Sequence, residues 1–115
     1  MSGGTMYDQR EVVLIPFPYS DLSGAKKRPA LIISNDKINK SEDRICCLIT
    51  SNPTAEGIVL DDNSFEKGNL PFKSWAKPHR LFTIHKGIII KKLCTIKASC
   101  YDKIIDAINS CLKRR

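Results

Sequence analysis

Residues 12–34 read VVLIPFPYSDLSGAKKRPALIIS, two apolar runs separated by a polar and basic segment. Residues 12–17 are β-branched and apolar and predict a buried strand, which ends where Pro16 and Pro18 cannot donate to a ladder. Residues 30–34 predict a second buried strand. The segment between them predicts a loop that can bind an anion, because it holds three consecutive cations. These are Lys26, Lys27 and Arg28.

Short strands and turns continue from there to position 96. We expect a third strand over 44–50, a fourth over 57–60, extended pieces at 70–77 and 81–84, and a last strand within 88–96. Apolar residues then recur at helical spacing, which predicts a helix over 99–112 with Ser99 as its N-cap. The pattern favours a mainly β (α+β) fold, a small barrel that ends in a C-terminal α-helix.

Length and composition limit the class of protein further. A chain of 115 residues fits a single domain, 1–115, in which the polar, Gly-rich residues 1–9 are expected to be flexible. The net charge of +7 raises the expectation of an anionic partner such as nucleic acid. No signal peptide or apolar run of transmembrane length occurs, so a cytoplasmic protein without membrane contact is expected.

The five cysteines form no recognisable framework, since their number is odd and no Cys-x-x-Cys occurs. Adjacent Cys46 and Cys47 on a strand would point to opposite faces. We therefore expect reduced core thiols, neither a disulfide scaffold nor a structural zinc site.

Three places could carry chemistry. Arg28 precedes Pro29, which disfavours helical backbone at the arginine, so its guanidinium would project from an extended base as an anion clamp. Thr50, Ser51 and Asn52 end the third strand with neutral hydrogen-bonding groups, and His79 could transfer a proton near neutral pH. From the residues alone the more ordinary interpretation is a solvated arginine, a common strand-end turn and an incidental surface histidine.

The sequence carries no phosphate-binding glycine loop, no Gly-x-Ser-x-Gly and no spaced metal ligands. We therefore expect neither a metal nor a cofactor. Without a metal or cofactor, chemistry on a polyanion has one obvious form, because RNA supplies its own nucleophile, the 2′-hydroxyl. The protein then provides a base, an acid and cations for the transferring phosphate.

The residues of segment 11–34 resemble the MazF/PemK family of toxins from type II toxin-antitoxin modules. The resemblance rests first on the ordered block PFPYSDLSGAKKRPALIIS, and then on CLITS at 47–51, KPHRLFTI at 77–84 and IKKL at 90–93. It covers nearly the whole chain. It implies an SH3-like barrel, a homodimer, and metal-independent, sequence-selective cleavage of single-stranded RNA that leaves 2′,3′-cyclic phosphate and 5′-hydroxyl ends.

The resemblance also reverses the preference reached from the residues alone. The family's catalytic arginine before proline falls on Arg28, and the threonine that ends the third strand falls on Thr50. Where some relatives carry a basic-x-Asp pair for acid-base catalysis, this chain has Lys77 and His79, so His79 is the third catalytic candidate. Candidates for RNA binding are Ser20, Asp21, Lys26, Lys27, Ser51, Asn52, Lys77 and Arg80.

Two further departures and two alternatives accompany the resemblance. The family usually opens its first strand with Gly-Asp, where this chain has Arg10 and Glu11, and Cys94 stands where many relatives have glycine. The alternatives are a non-catalytic toxin of the same fold that poisons gyrase by protein contact, and a plain SH3-like nucleic-acid-binding module. A toxin would have a cognate antitoxin as partner, and could contact operator DNA through the antitoxin complex.

Overall fold

The computed structural model describes residues 6–18 and 25–115. Its strands are β1 (Glu11–Pro18), β2 (Ala25–Ile32), β3 (Asp43–Thr50), β4 (Ile58–Leu60), β5 (Phe65–Lys67), β6 (Ser74–His85) and β7 (Lys91–Ile96). Its α-helices are α1 (Asp36–Asn39) and α2 (Ala98–Leu112), and single 3₁₀ turns cover Asp62–Ser64 and Lys86–Ile88. Among these residues no helix is long and apolar enough to cross a membrane.

The strands form one antiparallel sheet in the order β4-β6-β3-β2-β1-β7-β5. The hairpin of β1 and β2 lies near its centre, with β3 on one side and β7 on the other. The sheet curls into a nearly closed barrel, and α2 packs against it through Cys100, Ile104 and Ile108. The predicted small β-barrel with a C-terminal helix is confirmed.

Alternation along the central strands produces two apolar clusters on opposite faces of the sheet. Cluster 1 contains Val12, Leu31, Cys47 and the buried residues of α2, whereas cluster 2 contains their chain neighbours Val13, Ile32 and Cys46. At the border of cluster 2, the rings of Phe17 and Phe82 meet edge to face at 5.4 Å. The two adjacent cysteines therefore point to opposite faces, as predicted.

Three strands differ from the sequence expectation. β2 begins at Ala25, so Lys26, Lys27 and Arg28 lie in a strand and not in a loop. β1 continues through Pro18, because its last residues pair with these cations, Phe17 opposite Lys26 and Pro16 opposite Lys27. Residues 74–77 and 81–84 of the expected extended pieces belong to one strand, β6, which also includes residues 78–80, whereas residues 70–73 precede it. Two short elements, α1 and β5, were not expected at all.

The helix boundary is also corrected. The N-cap of α2 is Lys97, which makes no side-chain capping bond, so Ser99 lies inside the first turn and the expected cap at Ser99 is wrong. Leu112, which the helical spacing assigned to the apolar face, is 70% exposed. Leu112 is exposed because α2 continues past Ile108, its last residue that is buried against the barrel.

Residues 6–9, expected within a flexible segment, are held by hydrogen bonds. The guanidinium of Arg44 is fully buried and donates to the carbonyl oxygens of Met6 and Tyr7 at 2.7 and 2.8 Å, and to those of Ser41 and Asp43 at 3.0 and 2.7 Å. Buried charge is tolerated when its donors are satisfied. Arg44, which the sequence presents only as a strand residue, therefore fastens Met6 and Tyr7 to β3.

Candidate active site

Arg28 and Thr50 come to the same end of one strand pair. In the antiparallel register of β2 and β3, Ala30 pairs with Leu48, and the pairing ends there. Continued by two residues, this register would place Arg28 opposite Thr50, and alternation gives both the face that carries cluster 2. The two residues, more than twenty positions apart in the sequence, thus lie at the same end of the β2–β3 pair.

Thr50 is held in place by its surroundings. It is 7% exposed, it pairs with Trp75 of β6, and its Oγ1 accepts a hydrogen bond of 3.1 Å from the Asn52 amide. A threonine hydroxyl that accepts one bond still has its own proton to donate. The predicted strand-end turn therefore fixes the hydroxyl and leaves one donor available. Ser51 and Asn52 follow it as exposed side chains.

The end of β2 also borders a cavity of about 430 Å³, termed here the cationic cavity. Four cations take part in its lining, Lys26, Lys27, Arg28 and Lys91. The hydroxyl-bearing residues Ser51 and Ser74 contribute, and the apolar part comes from Leu14, Pro29, Ile49, Leu70, Pro71, Phe72 and Leu93. Positive charge beside apolar surface suits an anion that also carries a hydrophobic group.

Arg28 borders both the cationic cavity and the face of Thr50. Lys27 and Pro29 share the side of β2 that carries Leu31, a member of cluster 1, whereas Arg28 shares the side of Ala30, a member of cluster 2. β2 therefore forms a rim between the cationic cavity and the face of the sheet that carries cluster 2. A polyanion that crosses this rim would meet Arg28 at the crossing.

The third candidate, His79, lies in a bulge of β6. The register of β3 with β6 shifts between the pairs Cys47–Leu81 and Ile49–Ala76, so residues 77–80 project from the ladder opposite Leu48. His79 and Arg80 are exposed there, Lys77 is half-buried, and the Lys77 carbonyl lies 3.1 Å from the Cys47 thiol. None of these three residues lines the cationic cavity. The bulge stands beside the strand that ends in Thr50.

Other predicted cations are engaged in surface ion pairs. Lys92 Nζ lies 3.1 Å from Glu11, and Lys86 Nζ lies 3.7 Å from Glu42, which also approaches His85 Nε2 at 3.2 Å. Exposed pairs of this kind contribute little to stability. These acidic neighbours distinguish Lys86 and Lys92 from Lys91, which lines the cationic cavity.

Two predicted binding residues, Ser20 and Asp21, lie outside the described residues. In the parts of the chain that are described, no three His, Cys, Asp or Glu side chains come together as a metal site would require. The pKa values of two buried cysteine thiols are strongly raised. Burial raises the pKa of both Cys46 and Cys47 to about 12, a state in which a thiol is neither a nucleophile nor a metal ligand.

The sequence expectation missed the segment 70–73 as part of this region. Leu70, Pro71 and Phe72 line the cationic cavity although they precede β6 and are remote in sequence from β2. The only available signal was an aromatic residue next to proline in a polar turn. That pattern is too common to identify a site without the register.

Comparison with known proteins identifies the family of the chain. Residues 8–112 match the model of the family described as PemK-like, MazF-like toxin of type II toxin-antitoxin system. A search of curated proteins finds no significant match.

Solved structures share the fold at low sequence identity. An endoribonuclease in complex with its cognate antitoxin from a mycobacterial species is 19% identical, with 94% of this chain and 96% of the other covered and a TM-score of 0.73. MazE-MazF from Deinococcus radiodurans (Form-II) is 17% identical over 94% and 96%, with a TM-score of 0.75. The Mycobacterium tuberculosis toxin MazF-mt6 is 16% identical over 92% and 99%, with a TM-score of 0.71. Because the family model matches nearly the full length of the chain, the chain belongs to the PemK-like, MazF-like toxins of type II toxin-antitoxin systems.

Proposed function

We propose that this toxin is a metal-independent endoribonuclease that cleaves single-stranded RNA, such as mRNA, at selected sequences. The proposal rests on the position of Arg28 and Thr50 at the same end of the β2–β3 pair, where Arg28 and further cations line a cavity. A guanidinium next to a hydroxyl donor suits a phosphate in transfer, because one neutralises charge and the other donates to an oxygen. Similar solved structures include endoribonucleases, which supports the proposal.

The reaction needs no group beyond the RNA and the protein. The 2′-oxygen attacks the adjacent phosphorus and forms the cyclic phosphate, and the bond from phosphorus to the 5′-oxygen breaks. A base takes the proton of the 2′-hydroxyl, and an acid returns a proton to the departing 5′-oxygen. Arg28 stabilises the charge of the phosphate in the transition state, and Thr50 donates a hydrogen bond to it.

His79 is proposed to take part in proton transfer from the bulge of β6. Its support is position, since the bulge lies opposite Leu48, two residues before Thr50 on the same strand. Lys77 and Arg80 of the same bulge, Lys26 and Lys27 of β2, and Ser51 and Asn52 beyond β3 are proposed to bind the RNA. Ser20 and Asp21 remain candidates for the same role on the resemblance alone.

The proposed partners follow from the toxin family. Two of the similar structures are named as complexes with a cognate antitoxin or as MazE-MazF, so we propose a cognate antitoxin for this chain. A homodimer is also proposed, and Ile88 and Ile90 are exposed apolar side chains that a second copy could cover. Contact with operator DNA would occur through the antitoxin complex. Action on mRNA would take place in the cytoplasm.

The decisive experiment incubates purified protein with a mixed-sequence RNA in EDTA and maps 5′-hydroxyl ends. We expect cleavage by the wild type and a loss of about 100-fold or more in Arg28→Ala, because a lost transition-state donor costs roughly that factor. Lys103→Ala, which removes an exposed cation of α2 that does not line the cationic cavity, serves as the matched control and retains full activity. Arg28→Ala should keep its fold, since Arg28 belongs to neither apolar cluster.

The same assay separates the alternatives. Absence of cleavage by the wild type, with Arg28→Ala indistinguishable, would favour a non-catalytic toxin that acts by protein contact or a plain nucleic-acid-binding module. For His79→Ala we expect a lower rate with unchanged RNA affinity and an altered pH–rate profile. A profile identical to that of the wild type would remove His79 from proton transfer.

A further inference from the structure

The side chain of Phe72 is a hydrophobic ring that is largely exposed to water. It is 72% exposed, more than any other large hydrophobic side chain of the described residues. Single exposed hydrophobic residues are common and need no explanation by themselves. Phe72 differs because its backbone is fixed and because it stands at the edge of the cationic cavity.

The loop that carries Phe72 is anchored on both sides. Before it, Gly68 adopts a φ of +70° and approaches β7 so closely that a Cβ there would lie 3.2 Å from the Cys94 Cβ, and Leu70 packs against cluster 1. After it, the Ser74 hydroxyl donates to the Phe72 carbonyl at 2.8 Å. Phe72 itself joins neither cluster. The fold thus holds the backbone and leaves the ring outside.

Phe72 lies between two concave surfaces. On one side is the cationic cavity, and on the other is a space of about 380 Å³ that also involves Asp61, Asp62 and Phe65. The loop residues from Leu70 to Phe72 take part in both. A single strand that runs from the rim of β2 toward the second space would pass the ring.

The chemistry of the cationic cavity fits one kind of ligand. Lys26, Lys27, Arg28 and Lys91 can neutralise phosphate groups. The apolar wall and the ring of Phe72 offer no hydrogen bonds but can receive a flat aromatic face. A nucleotide has both parts, an anion and a base with a π-face, and proteins that bind single strands combine the same two elements.

We propose that Phe72 stacks on one nucleobase of the bound RNA, next to the phosphate that Arg28 contacts, and so helps to set where the strand is cut. This inference rests on the proposed function, because it assigns a residue to RNA recognition at the same site. Stacking holds the base in a fixed relation to Arg28. Phe72 is therefore a positioning residue that acts through the substrate and takes no part in the chemical step.

The test uses an RNA oligonucleotide with a mapped cleavage site and 2′-deoxy sugar at the nucleotide that would supply the nucleophile. This analogue binds but is not cleaved, so affinity is measured directly. A series of the same oligonucleotide has one abasic position each. The proteins are the wild type, Phe72→Ala, Phe72→Trp and the control Leu112→Ala, which truncates a side chain of nearly equal exposure, 70%, at the end of α2.

We expect Phe72→Ala to bind the intact analogue about tenfold more weakly than the wild type, within the range known for base–aromatic stacking. Phe72→Trp retains the affinity, and Leu112→Ala is unchanged. At one position, removal of the base lowers the affinity of the wild type for the analogue about tenfold and does not change the affinity of Phe72→Ala. When the ring is absent, removal of the base causes no further loss of affinity. This result identifies a base that stacks on the ring, and a general disturbance of the loop would not produce it.

Other outcomes overturn the inference. If Phe72→Ala binds every oligonucleotide as the wild type does, the ring does not contact RNA and is assigned to a protein contact instead. Equal losses in both proteins at every abasic position refute stacking as well. If the wild type cleaves RNA in these cases, only the inference on Phe72 fails. If the wild type neither cleaves RNA nor binds the analogue, the proposed function fails and the inference falls with it.

Discussion

Arg10 adopts a backbone conformation that favours glycine. Its φ is +76°, in the left-handed region that costs a side-chain-bearing residue roughly 1–2 kcal/mol. The resemblance has glycine at this position, just before β1. Arg10 offsets the cost through its guanidinium, which donates to the Ile96 carbonyl at 2.9 Å and pairs with Glu66 at 3.2 Å. The side chain thus ties the start of β1 to the end of β7.

Two substitutions separate the strain at Arg10 from its hydrogen bonds. Both Arg10→Ala and Arg10→Gly lose the contacts with Ile96 and Glu66, but only glycine relieves the positive φ. We expect Arg10→Gly to be more stable than Arg10→Ala by about 1 kcal/mol, a reversal of the usual order in regular structure. Urea denaturation of the two variants measures the difference. If alanine is the more stable of the two, the backbone at Arg10 is not strained.

At the scale of the elements, continuous apolar runs predicted β1 and β3 nearly correctly, because their residues are buried on both faces. The start of β2 escaped prediction because Lys26 and Lys27 are exposed, and their strand conformation comes from pairing with Phe17 and Pro16. That pairing is a tertiary contact with no local signal. Residues 78–80 were left out of the expected strands, but they form a bulge within β6 that does not end the strand.

The candidate site could also be predicted in part, where its residues belong to local sequence patterns. Arg28 before Pro29 and Thr50 at a strand end are local patterns, and the family resemblance gave them roles. The cationic cavity is not a local pattern, since its walls come from β2, β7 and the loop before β6. Lys91 and Phe72 become part of one surface only when the sheet order is known.

The first turn of α2 gives a prediction at the same scale. Lys97 occupies the N-cap with extended backbone but without a capping bond, and its charge is unfavourable at the positive end of the helix dipole. We expect Lys97→Asp to raise the free energy of unfolding by about 1 kcal/mol in urea denaturation. Ser99→Ala is expected to change it by less than about 0.5 kcal/mol. A loss of about 1 kcal/mol in Ser99→Ala would restore Ser99 as the cap.

At the scale of the whole molecule, four of the five cysteines lie in the two apolar clusters, so the free energy of unfolding depends on pH in the alkaline range. Burial raises the pKa of Cys46 and Cys47 to about 12 and that of Cys94 to about 11, against about 8.5 for an exposed thiol. Below pH 8 the thiols are protonated in the folded and the unfolded chain alike. Between about pH 8.5 and 12 the unfolded chain releases protons that the folded chain retains. The free energy of unfolding therefore falls across this window as pH rises.

Urea denaturation under reducing conditions at pH 7.5, 9 and 10 tests this dependence. Each thiol with a folded pKa near 12 contributes up to about 2 kcal/mol of the decrease by pH 10. Cys47→Ala removes one such group, so its stability should decline less steeply with pH than that of the wild type, whatever the substitution costs at pH 7.5. Cys111→Ala is the matched control, because Cys111 is exposed, and its curve should run parallel to the wild type. Lysine and tyrosine titration affects all three proteins equally and cancels in the comparison. Parallel curves for Cys47→Ala and the wild type would show that the thiol in cluster 1 ionises as freely in the folded barrel as in the unfolded chain.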